Sequence, residues 1–357
     1  MSTSPSRKKV KIAGSEFNVP ERYEILERVG HGAYGVVVSA MDTLTGQKVA
    51  IKKICNVFEN SREYQKRILR EIASLKHLTG HSNIIELIEV IQPEDFESFN
   101  DVYIVCNYMD TTIKDMLKNK QVSQGVTDDH VKWFLYQLLR GLKYMHSAGV
   151  VHRDIKPSNI LVDKDMELRL CDMGLSREYS LQEEMEMTFY VSTRWYRAPE
   201  LLLRYNRSGP AIDMWSAACI FAELMSKKVL FPGNHFIQQL EMILDVCGTP
   251  QTDEEFEAVK GSTEAKRWLK TLRKRPRKNL KDLFPDANPV ALDLLDKMLQ
   301  LNPEKRISAA QALQHDYFAD FHDEEDEPIA DAFQFSIPNM REIKQQMFNE
   351  IVCTGAC

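Results

Sequence analysis

Short runs of β-branched and aromatic residues mark the first third of the chain. Val36-Val37-Val38, Val49-Ala50-Ile51 and Val102-Tyr103-Ile104-Val105 predict strands. Thr45-Gly46 predicts a turn between the first two. One helix interrupts them, over Arg62 to His77, where Ile68, Ile72 and Leu75 recur at helical spacing. After Asp110 the pattern turns mostly helical. Val131, Phe134, Leu135, Leu138, Leu142 and Met145 form one apolar stripe, with Asp128 as the predicted N-cap and Gly149 as the stop. A small β-rich region followed by a larger helical one is the expected order, and this is an α+β class.

Composition narrows the classes. The 357 residues are 43% hydrophobic and 27% charged, the balance of a folded protein of one large domain or two small ones. A net charge of −6 argues against bulk attraction to nucleic acid, so no nucleic-acid partner is expected. No apolar run is long enough for a bilayer span, so no membrane partner is expected either. Seven cysteines without a CxxC pair suggest reduced thiols rather than a disulfide frame, and a cytoplasmic and nuclear location. Nine histidines show no metal-ligand spacing.

The chemistry lies in a few segments whose order matters more than any one of them. Gly30-His31-Gly32-Ala33-Tyr34-Gly35-Val36-Val37 could be a plain glycine hairpin. Equally, glycine lets backbone amides approach phosphate oxygens closely. Val49-Ala50-Ile51-Lys52 follows, and Lys52 could hold phosphate oxygens if Glu71 fixed its ammonium. Glu71 stands one residue before Ile72, at the margin of the predicted buried helix face. Then come His152-Arg153-Asp154-Ile155-Lys156-Pro157-Ser158-Asn159 and Asp172-Met173-Gly174. Phosphoryl transfer needs positioning, charge neutralisation and a group to accept a hydroxyl proton. Asp154 is the candidate acceptor and Lys156 the candidate counter-charge. Asn159 and Asp172 offer the oxygen ligands that suit Mg²⁺.

On these segments the stretch from Tyr23 to Phe321 resembles a eukaryotic protein kinase. Ala198-Pro199-Glu200 and Asp213-Met214-Trp215-Ser216 match further motifs of that family. The resemblance implies a bilobal fold, with a small β-rich N-lobe carrying one regulatory helix and a large, mainly helical C-lobe. It implies ATP and Mg²⁺ as cofactors. The implied ATP-binding set is Val29, Gly30, Gly32, Ala33, Tyr34, Gly35, Val37, Ala50, Lys52, Glu71, Cys106 and Met109, with Cys106 as gatekeeper. It also implies an ion pair between Glu200 and Arg306. Lys156 follows the serine/threonine pattern.

Thr188-Phe189-Tyr190, before Trp195-Tyr196-Arg197-Ala198-Pro199-Glu200, resembles the activation loop of the mitogen-activated protein kinases, and the p38-type branch is the nearest likeness. That likeness implies a switch by phosphorylation of Thr188 and Tyr190. Arg67, Arg70, Arg153 and Arg177 would receive the phosphothreonine, and Arg194 and Arg197 the phosphotyrosine. It implies substrates with Ser or Thr before Pro, and a monomer. The segment His322 to Pro328 is similar to the family's acidic docking site, with Asp323, Glu325 and Asp326 gripping upstream dual-specificity kinases and phosphatases. The expected domains are a flexible basic tail over 1–20, the N-lobe over 21–109 and the C-lobe over 110–321. The C-lobe includes an insertion at about 245–285, and a C-terminal extension covers 322–357.

Four positions depart from the family pattern: Met173 for Phe, Phe189 in the loop, Cys106 as gatekeeper and Ala218 for Gly. Met173 and Phe189 leave a second reading, a catalytically weak pseudokinase-like scaffold. The basic run from Lys266 to Lys281 reads best as a solvated helix face.

Overall fold

The computed structural model describes residues 6–12, 14–32, 35–178, 193–205, 209–335 and 342–354. The chain forms two compact units. The first comprises Met1–Asp110, Cys171–Ser176 and Phe333–Cys357, and the second Thr111–Leu170 and Arg177–Ala332.

Unit 1 opens with a hairpin of β1 (Arg7–Ile12) and β2 (Ser15–Pro20). Next come β3 (Tyr23–Gly32), β4 (Gly35–Asp42), β5 (Gln47–Ile54), α1 (Arg62–Leu78), β6 (Leu87–Val90) and β7 (Val102–Asn107). Five strands form one antiparallel sheet in the order β3-β4-β5-β7-β6. Side chains alternate across a strand. Val36, Val38, Ala40, Val49, Ile51 and Val105 share one buried cluster with Phe17 and Val19. Residues 1–20 are therefore not a loose tail over their described part. Glu16-Phe17-Asn18-Val19 alternates, and Phe17 and Val19 cover the sheet face at 0% exposure. That alternation was the available signal.

Unit 2 begins with β8 (Thr111–Thr112), α2 (Ile113–Lys118), α3 (Lys120–Gly125) and α4 (Asp128–Ser147). The N-cap of α4 is Thr127 rather than Asp128, because the Thr127 hydroxyl accepts from the His130 amide in a capping box. Gly149 follows the end of α4 with φ 76°, the left-handed turn glycine permits. The short strands β9 (Val150–Val151), β10 (Ile160–Val162), β11 (Leu168–Leu170) and β12 (Arg177–Glu178) follow, and the loop from His152 to Asn159 runs between β9 and β10. Helices α5 (Pro199–Leu202), α6 (Ala211–Ser226), α7 (Phe236–Cys247), α8 (Asp253–Ala258), α9 (Thr263–Thr271), α10 (Leu280–Leu283), α11 (Pro289–Met298) and α12 (Ala309–Leu313) complete it. The core of the unit includes Phe134, Leu138, Leu142, Trp215 and Phe221, each at 1% exposure or less. The last helix, α13 (Ile343–Thr354), belongs to unit 1 and packs on α1. Lys76 Nζ pairs with Glu350 Oε2 at 2.9 Å. Lys344 Nζ sits 5.0–5.4 Å from the ring centres of Phe58, Phe96 and Phe99 and donates to the Glu97 carbonyl at 2.7 Å.

The unit boundaries depart from the expected domains. Cys171–Ser176 lies within the expected C-lobe range of 110–321, yet it clusters with unit 1. Met173 is fully buried there, Arg67 Nε donates to the Gly174 carbonyl at 3.3 Å, and the Ser74 and Ser176 hydroxyls lie 3.2 Å apart. The segment from Phe333 onward likewise joins unit 1, where the Phe333 ring lies 5.0 Å from His77.

Candidate active site

The candidate set is divided between the units. In unit 1, β4 and β5 pair Val37 with Lys52, and β5 and β7 pair Ala50 with Cys106. The neighbours of these residues face the buried cluster, so strand alternation turns Val37, Ala50, Lys52 and Cys106 to the other face. All four are half-buried. Val29 is exposed and Met109 buried. Glu71 reaches Lys52 from α1, with Oε1 2.5 Å from Nζ and a carboxylate side chain only 3% exposed. Burial opposes a charged Lys52, but the Glu71 and Asp172 carboxylates outweigh it and raise the ammonium above its usual range. Burial also raises the Glu71 carboxyl, which opposes the pair. The direct contact decides for the ion pair, since a neutral Glu71 would forfeit a charge-assisted bond.

Glu71 Oε2 has no hydrogen-bond partner among the described residues. A Cβ placed on Gly174 would come within 3.3 Å of Asp172 Oδ1 and 3.5 Å of Glu71 Oε2. Asp172 itself holds a left-handed φ of 65°. Such a carboxylate beside a fixed ammonium suits a metal-nucleotide ligand. Glycine has two different reasons at this site. A Cβ on Gly35 would stand 1.7 Å from the Lys53 carbonyl oxygen, so the strand pair itself excludes one. On Gly30 the nearest atom would be Val37 Cβ at 3.7 Å, an ordinary contact. Gly32 ends β3 opposite Gly35. Ala33 and Tyr34 lie outside the described residues.

In unit 2 the loop after β9 gathers its groups within six residues. Lys156 Nζ donates to Asp154 Oδ2 at 2.6 Å, and Asn159 Nδ2 donates to the same oxygen at 3.1 Å and to the Asp154 carbonyl at 2.9 Å. With the Asn159 nitrogen committed, its oxygen is the end that could serve a hard cation. Asp213 holds the loop from below by accepting the His152 and Arg153 amides, each at 2.8 Å. Burial alone would raise the Asp213 carboxyl, but the His146 hydrogen bond at 3.0 Å and the charge of His146 hold it low. Arg153 adopts φ 69° in this turn. Glu200 and Arg306 form the expected pair, bidentate at 2.8 and 3.0 Å and almost fully buried.

The six candidate phosphate-binding arginines are divided between the units. Arg67 and Arg70 are buried in α1 of unit 1, whereas Arg153, Arg177, Arg194 and Arg197 belong to unit 2. Arg194 Nη1 donates to the Asn234 carbonyl at 2.9 Å. Burial lowers the Arg197 guanidinium, with the nearby Asp154 charge opposing. Thr188, Phe189 and Tyr190 lie outside the described residues.

Asp323, Glu325 and Asp326 are exposed. Glu327, in the same acidic run, is 2% exposed and is a structural hub. It binds Tyr136 Oη at 3.2 Å, Lys143 Nζ at 3.2 Å and His322 Nδ1 at 2.8 Å. The basic run is only partly a helix face, since α9 ends at Thr271. Beyond it, Arg275 pairs with Asp245 at 2.6 Å and Arg277 with Asp296 at 2.7 Å, so these cations brace the insertion. Burial pushes the Cys106 thiol up to about 12 and raises Cys171 too, which removes thiolate character from both.

Residues 23–318 match the family model described as "Protein kinase domain", and the chain belongs to the protein kinase family. Its relatives narrow this further. Mitogen-activated protein kinase 14 of Xenopus laevis is 45% identical over 94% of this chain and 91% of its own length. Mitogen-activated protein kinase p38b of Drosophila melanogaster is 44% identical over 96% and 92%. Extracellular signal-regulated kinase 1 of Dictyostelium discoideum is 44% identical over 96% of this chain, which spans 64% of that relative. Within the kinase family the chain is a serine/threonine protein kinase of the mitogen-activated type.

Proposed function

We propose that this kinase transfers the γ-phosphoryl group of ATP to Ser or Thr residues followed by Pro. The observation that carries the reading is the Asp154 carboxylate held by both Lys156 and Asn159. An oriented carboxylate at this position can accept the proton of a substrate hydroxyl. Lys156 supplies positive charge beside it. Lys52, paired with Glu71, would hold phosphate oxygens of the nucleotide. Asn159 and Asp172 would hold Mg²⁺, whose charge offsets that of the phosphates.

The switch belongs to the same proposal. Phosphates on Thr188 and Tyr190 would recruit guanidinium groups from Arg67, Arg70, Arg153, Arg177, Arg194 and Arg197, and so order the loop. The exposed acids Asp323, Glu325 and Asp326 would dock basic motifs of upstream kinases and phosphatases. A monomer acting in cytoplasm and nucleus fits this role.

The test compares phosphate transfer to a Ser-Pro peptide and its Ser-Ala counterpart, with the loop phosphorylated and unphosphorylated. Transfer should favour Ser-Pro and require both loop phosphates, and Asp154→Ala should abolish most of it. Equal rates on both peptides would remove the proline specificity, and rates indifferent to loop phosphorylation would remove the switch.

A further inference from the structure

Unit 1 holds its last helix through a contact that the proposed chemistry does not use. Ile343, Met347 and Ile351 of α13 are each at 1% exposure or less, so one apolar face anchors the helix. Lys344 stands next to that face. Its ammonium lies 5.2, 5.4 and 5.0 Å from the ring centres of Phe58, Phe96 and Phe99. Phe58 precedes α1, and Phe96 and Phe99 come from the segment before β7. The rings stand at angles to one another, 89° between Phe58 and Phe99 and 53° between Phe96 and Phe99, as the walls of a cage do. Phe348, one turn along α13 from Lys344, packs edge-on against Phe96 at 5.2 Å and backs that wall.

Ordinary reasons for a lysine do not account for this one. A stem resting on apolar surface would leave its charged head in water, yet here the head itself faces the rings. Lys53 and Lys132 also lie against two rings each, but each pairs with a carboxylate, Asp101 at 2.7 Å and Asp320 at 3.0 Å. Lys344 has three rings and no ion pair to a described carboxylate. Asp95 feels its charge only from farther off and accepts the Ser98 amide at 2.8 Å. Lys344 is also the second residue of α13, where the helix dipole disfavours a cation.

The polar contacts set the chemistry. Lys344 Nζ donates to the Glu97 carbonyl at 2.7 Å, and its other two N–H groups have no acceptor among the described residues. Methylation keeps the charge and adds apolar surface, which is what an aromatic cage selects. A dimethylammonium keeps one N–H for the Glu97 carbonyl and turns two methyl groups to the rings. A trimethylammonium would leave that carbonyl unmatched.

We propose that Lys344 is a methylation site, and that this chain supplies the aromatic cage that holds its dimethylammonium. In each of two transfers Nζ first gives up a proton to solvent. Its lone pair then forms a bond to the methyl carbon of a sulfonium donor brought by a separate methyltransferase. The C–S bond breaks with its electron pair going to sulfur, and the positive charge passes from sulfur to nitrogen. Nζ must clear the rings for this, so transfer occurs with α13 undocked, and the methylated side chain is then captured. Because α13 packs on α1, the modification tightens the helix that carries Glu71.

The experiment has two arms, both on the full chain. Mass spectrometry of the kinase purified from the cells that make it should find Lys344 mono- or dimethylated. In the second arm, lysines are dimethylated with ¹³C-formaldehyde and borane, and Lys344→Met identifies the Lys344 signal by its loss. Ring currents should move the Lys344 methyl resonance well upfield of those of exposed dimethyl-lysines, and Phe96→Leu should move it back. Amide exchange in α13 should be roughly threefold slower in the methylated parent than in methylated Lys344→Met. If Lys344→Met loosens α13 too far, Phe96→Leu decides, because it keeps the lysine and alters one half-buried ring. A Lys344 resonance among those of exposed lysines would overturn the cage. Lys344 found only unmodified, acetylated or trimethylated in the cell-derived kinase would overturn the site.

Discussion

The two halves of the candidate site are built in opposite ways. Unit 2 collects Asp154, Lys156 and Asn159 from one loop, so their contacts span two to five residues of sequence. Unit 1 brings Lys52 from a strand, Glu71 from a helix 19 residues later and Asp172 from a segment near the chain's middle. The first half is rigid because a local turn is pinned by Asp213. The second exists only when α1 and the Met173 segment pack against the sheet. A half-site assembled from distant pieces is the natural place for control, because shifting one helix dismantles it.

Breaking the local half should have the largest effect. Asp154→Ala should lower kcat about 10³- to 10⁴-fold while ATP affinity stays near that of the parent, measured by single-turnover transfer and calorimetric titration. The distant half should respond differently. Glu71→Gln removes the counter-charge of Lys52 and should lower kcat/KM about 100-fold, with a rise in nucleotide Kd that Asp154→Ala does not show. An unchanged nucleotide Kd would mean that Lys52 is positioned without Glu71.

The glycines sharpen the comparison at smaller scale. Gly35→Ala should cost about 3 kcal/mol or more in urea denaturation, because the clash is with backbone. Gly30→Ala should leave stability within about 0.5 kcal/mol yet raise the KM for ATP roughly fivefold, the weight of one hydrogen bond. The smallest effect concerns Cys106 and Cys171. With both thiols raised by burial, iodoacetamide at pH 7.5 should label them far more slowly than an ordinary exposed thiol, as read by peptide mapping. Rapid labelling of Cys171 would mean that burial does not suppress its thiolate.

Met173 shows how a departure from pattern resolves physically. It is fully buried, and its neighbours Gly174 and Ser176 bond to residues of α1. An apolar, flexible side chain fills the slot, so the substitution gives no support to a scaffold without catalysis.

The sequence by itself determined whatever depends on near neighbours. Strand alternation, the helix over Arg62–Leu78, the stripe of α4 and the loop from His152 to Asn159 were all legible, because turn chemistry and side-chain period act over a few residues. Tertiary structure alone decided what distant segments do to one another. It turned the supposed basic tail into a hairpin over the sheet. It also drew Glu71 into contact with Lys52, moved Met173 into unit 1 and separated the buried Glu327 from its exposed acidic neighbours. Burial is a property of packed surfaces, and local sequence carries it only where a regular period points a side chain inward.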